Sequence, residues 1–320
     1  MLKDSDKRRL KIFKRYSEHL KIVDSHKLIN GLHLHFDDTY ICPICLEQFP
    51  IFSLNQEYAN PLTLEDVPPK TLGGKANILT CKKCNNHCGV KFDHQLTEGV
   101  NQFDNRTFKP NTSFPIVIDN NGKDIQGEIN VLDDGTVQAI NRDKKNHPAN
   151  LLEYINVLHP NTVVNFKFKK PPPDKKKFSL ALLKIGYLMV FEKYGYTLIF
   201  DKIYDNIRKQ LMFPELDLFP FDYWITPEFP EYLIGVPFII EKNKKAILAI
   251  FNLKTSLSKQ QYATYIPFPE NDLSISVKNI RKELNKSSQI SLEMKNIDFF
   301  IDCLQDVLLV QNTIEGIKNR

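Results

Sequence analysis

Long uninterrupted apolar runs are missing from this chain of 320 residues. Its most apolar stretch, FSLALLKIGYLMVFEKYGYTLIF from Phe178, is broken by Lys184, Glu192 and Lys193. A lysine at the centre of a membrane helix costs about 2.5–3.5 kcal/mol, so this stretch reads as a core helix running into a strand and not as a membrane span. The amino end, MLKDSDKRRLKIFKRY, is basic but has no apolar core of a secretory leader, so reduced thiols in a cytoplasmic setting are expected. There is no phosphate loop, no GxGxxG, no GxSxG and no internal repeat, which removes the usual nucleotide-binding and nucleophile-elbow readings.

What is present is a mildly basic globular composition. Hydrophobic residues make up 42% of the chain and the formal net charge is +5. That content supplies a sizeable core, and the charge favours an anionic partner without identifying it. The chain reads as α+β in four segments. Residues 1–40 form a basic helical arm, because LKIFKRYSEHLKIV interleaves Leu10, Ile12, Phe13, Leu20 and Ile22 with Lys and Arg. Residues 41–100 hold a cysteine-rich module. Residues 101–176 carry short alternating runs (FPIVID, IQGEINVL, TVQAI, VVNFKFK) with turn signals at 120–122 and 133–135, and end in KKPPPDKKK, an expected exposed linker. Residues 177–320 form a mixed α/β region, with a hairpin expected from YLIGVPFII and AILAIFNL, and strand or buried helix at 297–311. That last region is silent about chemistry and could serve a protein partner.

Of six cysteines, four form two CxxC pairs, Cys42 with Cys45 and Cys81 with Cys84. A two-residue gap lets both sulfurs of a pair reach one ion, so four thiolates for a structural, tetrahedral Zn²⁺ are expected. ICPICLEQF also looks like the opening of a RING finger, but no Cys or His lies between Cys45 and Cys81 to supply a second zinc site. The metal would therefore staple the ends of a loop that carries something else.

That loop supplies a resemblance. CPIC, then LEDVPPKTLGG, then ANILTCKKCNN resemble, in order, the four-cysteine form of the HNH (ββα-metal) endonucleases over about residues 42–96. The resemblance implies a zinc-stapled hairpin and helix facing a scissile phosphate, with a divalent metal, Mg²⁺ or Mn²⁺, between them. It implies hydrolysis of phosphodiester bonds in nucleic acid, most simply DNA, in a bacterial cytoplasmic setting such as phage defence. Carried over residue by residue, Asp66 stands where the family has its general-base histidine, and Asn85 where many members have a second histidine. Glu65, Asp66 and Asn85 would be catalytic metal ligands, Asn77 would constrain the loop, and His87 would complete the site. His87 with His94, and Asn86 with Asp93, are seven apart and would share helical faces. An ordinary Asp, with a pKa near 3.9, is a weaker base at neutral pH than imidazole. The alternative is accordingly a catalytically inactive zinc module that binds nucleic acid or a protein. His33 and His35, alternating as on a strand, read as structural.

Overall fold

The computed structural model describes residues 3–29, 31–120, 123–218, 223–269, 273–287, 292–297, 299, 301 and 303–319. In chain order, α1 spans Asp4–Ser25, β1 Thr39–Ile41, β2 Gln48–Pro50, β3 Leu62–Val67, β4 Lys75–Cys81 and α2 Lys82–Cys88. A π-helical turn, Gly89–Asp93, leads into α3, His94–Arg106. There follow β5 Ser113–Asn120, β6 Lys123–Val131, β7 Val137–Asn141, α4 Pro148–Asn156 and β8 Asn165–Phe168. The remainder comprises α5 Lys175–Tyr194, α6 Tyr196–Ile199, α7 Asp205–Met212, β9 Trp224–Ile225, β10 Phe238–Ile239, β11 Ala246–Lys254, β12 Lys259–Pro267, α8 Leu273–Ser287, β13 Met294–Lys295 and α9 Leu304–Lys318. The fold is mixed α+β with small antiparallel sheets.

Two compact units divide the chain differently from the four segments read in sequence. Residues 1–97 join 175–254 and 259–320 in one unit, while 98–174 with 255–258 form the other. The helical arm, the cysteine module and the C-terminal region are therefore not separate bodies. They share a core built around α5. From Ser179 to Leu188 every residue of it is buried, on all sides, so it cannot be a one-sided surface helix.

One face of α5 lies on the five-stranded sheet ordered β13-β10-β11-β12-β9. Gly186 is the point of approach, with Ile266, Thr264 and Ala249 at 3.0, 3.1 and 3.3 Å from where a Cβ would stand, closer than ordinary van der Waals contact. The opposite face, Lys184, Tyr187 and Phe191, follows the i, i+3, i+7 spacing of one helical stripe. It meets α1 and the cysteine module. Tyr16 of α1 stacks on Phe191 at 4.7 Å, and Tyr40 of β1 packs edge-on against Tyr16 at 5.8 Å. The basic side of α1, including Arg8, Lys11, Lys14 and Arg15, stays exposed.

His19, also on α1, is fully buried. The Tyr196 backbone N–H donates to its Nδ1 (3.3 Å), and Nε2 lies 3.1 Å from Thr197 Oγ1. A backbone N–H can only donate, so Nδ1 carries no proton and Nε2–H donates to Thr197. Burial and the nearby Arg15 lower the His19 pKa to about 3. Gly195, at φ +54°, is required beside it, since a Cβ there would meet the imidazole at 2.2 Å.

The second unit is a four-stranded antiparallel sheet ordered β7-β6-β5-β8. Phe114, Ile116 and Ile118 take alternate positions on β5, and Ile125, Ile129 and Val131 share the same parity on β6. This period of two puts them on one face, covered by Tyr154 and Leu151 of α4. Asn120 pairs with Lys123 across the first expected turn, whose residues 121–122 lie outside the described part. The second turn is closed by Gly135 at φ +85°.

Several local expectations change. Lys175–Lys177 begin α5 instead of extending the linker. His33 and His35 do not lie in a strand. The Gln48 side chain pins that segment by donating to His33 O (2.7 Å) and accepting from His35 N (2.9 Å). The hairpin expected from YLIGVPFII forms only as the short pair β10–β11, because β11 takes its long partner in β12. Residues 297–311 end as helix α9, with 298, 300 and 302 outside the described residues. No helix among the described residues is long and apolar enough to cross a membrane.

Candidate metal centre and the carboxylates beside it

Cys42 and Cys45 sit in the tight turn between β1 and β2, closed by Leu46 N–H to Cys42 O (2.9 Å) and Cys42 N–H to Glu47 O (3.0 Å). Tyrosine hydroxyls fix this turn from the core. Tyr196 both donates to Ile41 O (2.9 Å) and accepts from Ile41 N (2.8 Å), and Tyr187 donates to Pro43 O (2.6 Å). Cys81 ends β4 and Cys84 opens α2, so the other pair straddles a strand-to-helix junction. Tyr40 ties the two halves, donating to Leu79 O (2.7 Å) and accepting from Leu79 N (3.1 Å).

The four Sγ atoms all lie within 4.8 Å of one another. Cys45 and Cys81 are 3.8 Å apart. A tetrahedron with Zn–S bonds of about 2.3 Å has an edge of about 3.8 Å, so spacing and donor chemistry both suit a zinc ion. Without a cation, four close thiols cannot share one charge state. Hydrogen bonds from Cys42, Cys45 and Cys84 hold Cys81 far below the ordinary thiol range, whereas burial drives Cys42 well above it.

Between the two pairs, β3 and β4 form an antiparallel hairpin whose register shifts between Glu65 and Asp66. Glu65 faces Ile78 and Asp66 faces Ala76, leaving Asn77 as the extra residue of a bulge. The connecting turn, Pro68 to Gly74, accounts for the glycine pair. Gly73 adopts φ +89°, and a Cβ on Gly74 would come within 1.5 Å of Pro68 O.

The structure sends the candidate catalytic side chains to different destinations. Glu65 is buried, with Lys184 Nζ at 2.7 Å from Oε1 and Thr80 Oγ1 donating to Oε2 at 2.8 Å. Lys184 also contacts Asp93 Oδ2 at 2.6 Å. Burial alone would discharge Lys184, but the two carboxylates outweigh it and hold the ammonium above its ordinary range. Burial raises Glu65 above the usual carboxylate range, against the opposing pull of Lys184 and with Asp93 adding to the rise. Glu65 is thus engaged as an internal anchor, and its assignment as an open metal ligand does not fit this geometry.

Asn85 donates through Nδ2 to Thr63 Oγ1 (3.0 Å) and Leu64 O (3.2 Å), bracing α2 against β3. Asn77 donates to Glu192 Oε1 (2.7 Å) and accepts from Arg8 Nη2 (3.2 Å), which fixes the bulge between α1 and α5. His87 has its Nε2 buried without a hydrogen-bond partner. The face-sharing expected for His87 with His94, and for Asn86 with Asp93, is lost at the π turn. An i to i+5 turn is wider than an α turn, so residues seven apart no longer stack. That same turn carries Asp93 to Lys184.

Asp66 is the exception. It is half-buried beside the bulge. Loss of hydration raises its carboxyl above the usual range, while Lys70, Arg8 and Lys184, in that order, pull it back.

Motif reading gave Lys184 no role, and it considered Asp93 only for a face shared with Asn86, not as the partner of a buried lysine. One signal was available: a lysine inside an otherwise apolar helix needs a buried carboxylate partner. The lysines of the stretch 167–177 are partly answered within the chain, as Lys167 meets Asp119 (3.2 Å), Lys170 meets Glu98 (2.8 Å) and Lys176 meets Asp217 (2.7 Å).

Compared with models of known protein families, with curated protein sequences and with solved structures, the chain gives no significant match to any.

Proposed function

We propose that the chain is a phosphodiester hydrolase acting on nucleic acid, of the HNH type, in which zinc on Cys42, Cys45, Cys81 and Cys84 fixes a ββα element and Asp66 is the base. The observation that carries this reading is the state of Asp66. It is the one carboxylate of the hairpin left half-exposed, its affinity for a proton is raised by desolvation, and Lys70 and Arg8 act on it electrostatically. A base is most useful when its pKa moves toward the working pH, and neighbouring cations oppose the charge of a phosphate.

In this scheme Asp66 accepts a proton from the water whose oxygen bonds to phosphorus. The bond to the leaving sugar oxygen breaks, and that oxygen takes a proton from solvent. Arg8 and Lys70 hold the phosphate's negative charge, and Asn77 keeps the bulge in place. With Glu65 committed to Lys184, Asp66 is the hairpin carboxylate that could contribute to a Mg²⁺ or Mn²⁺ shell. Mg²⁺ is commonly bound by one or two carboxylates with phosphate and water, so a single protein ligand is within its habits. When bound, the ion would supply charge neutralisation at the phosphate.

A second reading rests on a specific observation. Glu65 and Asn77 spend their polar atoms on internal bonds and Asn85 commits its Nδ2 to two more, as in a zinc module that binds nucleic acid without cutting it. Nicking of supercoiled plasmid by wild type and by Asp66→His, with Mn²⁺ present, separates the two. The hydrolase reading expects cleavage by the wild type. An inert wild type with a gain of cleavage in Asp66→His supports the binding module instead.

A further inference from the structure

In the second unit, α3 and the ends of β5 and β8 enclose a cleft of about 210 Å³. Its floor is a layered platform. Phe168 stacks on Phe114 with ring centres 5.4 Å apart and planes at 17°, and the Arg106 guanidinium lies 4.7 Å over the Phe168 ring. Guanidinium planes and aromatic rings are the surfaces on which unstacked bases are held.

Its wall contains an unmet acceptor. Gln102 lines the cleft, and its Oε1 is buried with no hydrogen-bond partner. Such an atom lowers stability unless a ligand donates to it. The rim is cationic on balance, with Arg106, Lys169 and Lys170 set against Glu98, which pairs with Lys170 at 2.8 Å.

We propose that this cleft binds a nucleobase bearing an exocyclic amine, adenine above all, together with its phosphate. The base lies against the Arg106 plane and its amine donates to Gln102 Oε1, while the phosphate is drawn to Lys169 and Lys170. A cleft smaller than the roughly 300–1,000 Å³ of drug-sized pockets has room for one base and not for a dinucleotide. Uracil has no exocyclic amine and sets carbonyl lone pairs around its one N–H, so Gln102 discriminates against it. The site stands independently of any chemistry at Asp66.

Calorimetric titration of the full chain with adenosine monophosphate, uridine monophosphate and inorganic phosphate tests this, alongside anisotropy with labelled oligo(dA). Adenosine monophosphate is expected to bind about tenfold or more tighter than the other two, and Arg106→Ala and Gln102→Leu each to weaken it about tenfold. Gln102→Leu should also keep or raise the melting temperature, which a purely structural glutamine would not do. Tighter binding of oligo(dA) than of the mononucleotide identifies a single strand as the source, and the reverse identifies a free nucleotide; both support the site. Adenosine monophosphate binding no tighter than phosphate, or binding that Arg106→Ala leaves unchanged, overturns it. Arg106 is exposed, so that variant decides the matter even if Gln102→Leu fails to fold.

Discussion

Lys184 Nζ lies 2.7 Å from Glu65 Oε1, and both side chains are almost fully buried, at 4% and 5% exposure. The contact joins the middle of α5 to the hairpin between the two thiol pairs. It explains how a charged residue persists in the most apolar helix of the chain, and it withdraws Glu65 from any open site. Breaking it from one side leaves a buried carboxylate without its counter-ion. Lys184→Met is therefore expected to cost about 3–5 kcal/mol in chemical denaturation. The double variant Lys184→Met/Glu65→Gln should recover part of that loss, because it removes the orphaned charge.

The same single variant has a pH signature. Without Lys184, Glu65 binds its proton more tightly folded than unfolded, so the folded state gains relative stability as pH falls. The Lys184→Met deficit should accordingly be smaller near pH 5 than at pH 8, read from denaturation midpoints at both.

His19 gives a second, opposite slope in the wild type. Its folded pKa, about 3, lies below the unfolded value near 6.5. Between these values the unfolded chain holds a proton that the native chain refuses, so stability is lost as pH drops below 6.5. The loss is about 1.4 kcal/mol per pH unit. His19→Gln removes the titrating group, and its stability between pH 7 and 5 should lack that component.

Zinc is the next test. Cys81→Ser removes a thiolate from the set within 4.8 Å. Metal analysis should find about one zinc per wild-type chain and a strong reduction in the variant, with a lower melting temperature, since a structural zinc contributes folding energy directly. Unchanged stoichiometry would exclude the four-thiolate site.

These cases mark what could be read in the sequence. The CxxC pairs, the alternating runs of β5 and β6, and the all-round apolar α5 follow from local spacing, and the structure has all of them. Destinations of polar side chains were not legible, because they depend on contacts distant in sequence. Glu65 meets Lys184, and Asn77 meets both Arg8 and Glu192, across separations that no motif encodes. The π turn at Gly89–Asp93 likewise shifts helical phase with no local sign in the letters. Unit boundaries were obscured because residues 98–174 interrupt a body that resumes afterwards.

In the proposed hydrolase Asp66, and not Glu65, does the chemistry. The rate of supercoiled-plasmid nicking by wild type and Asp66→Ala, with Mn²⁺ and matched zinc content, tests it most directly. Wild type should nick, and Asp66→Ala should be slower by about 10²–10⁴-fold, the usual contribution of a positioned general base. Nicking by Asp66→Ala at the wild-type rate, or a wild type that does not nick at all, would contradict the account.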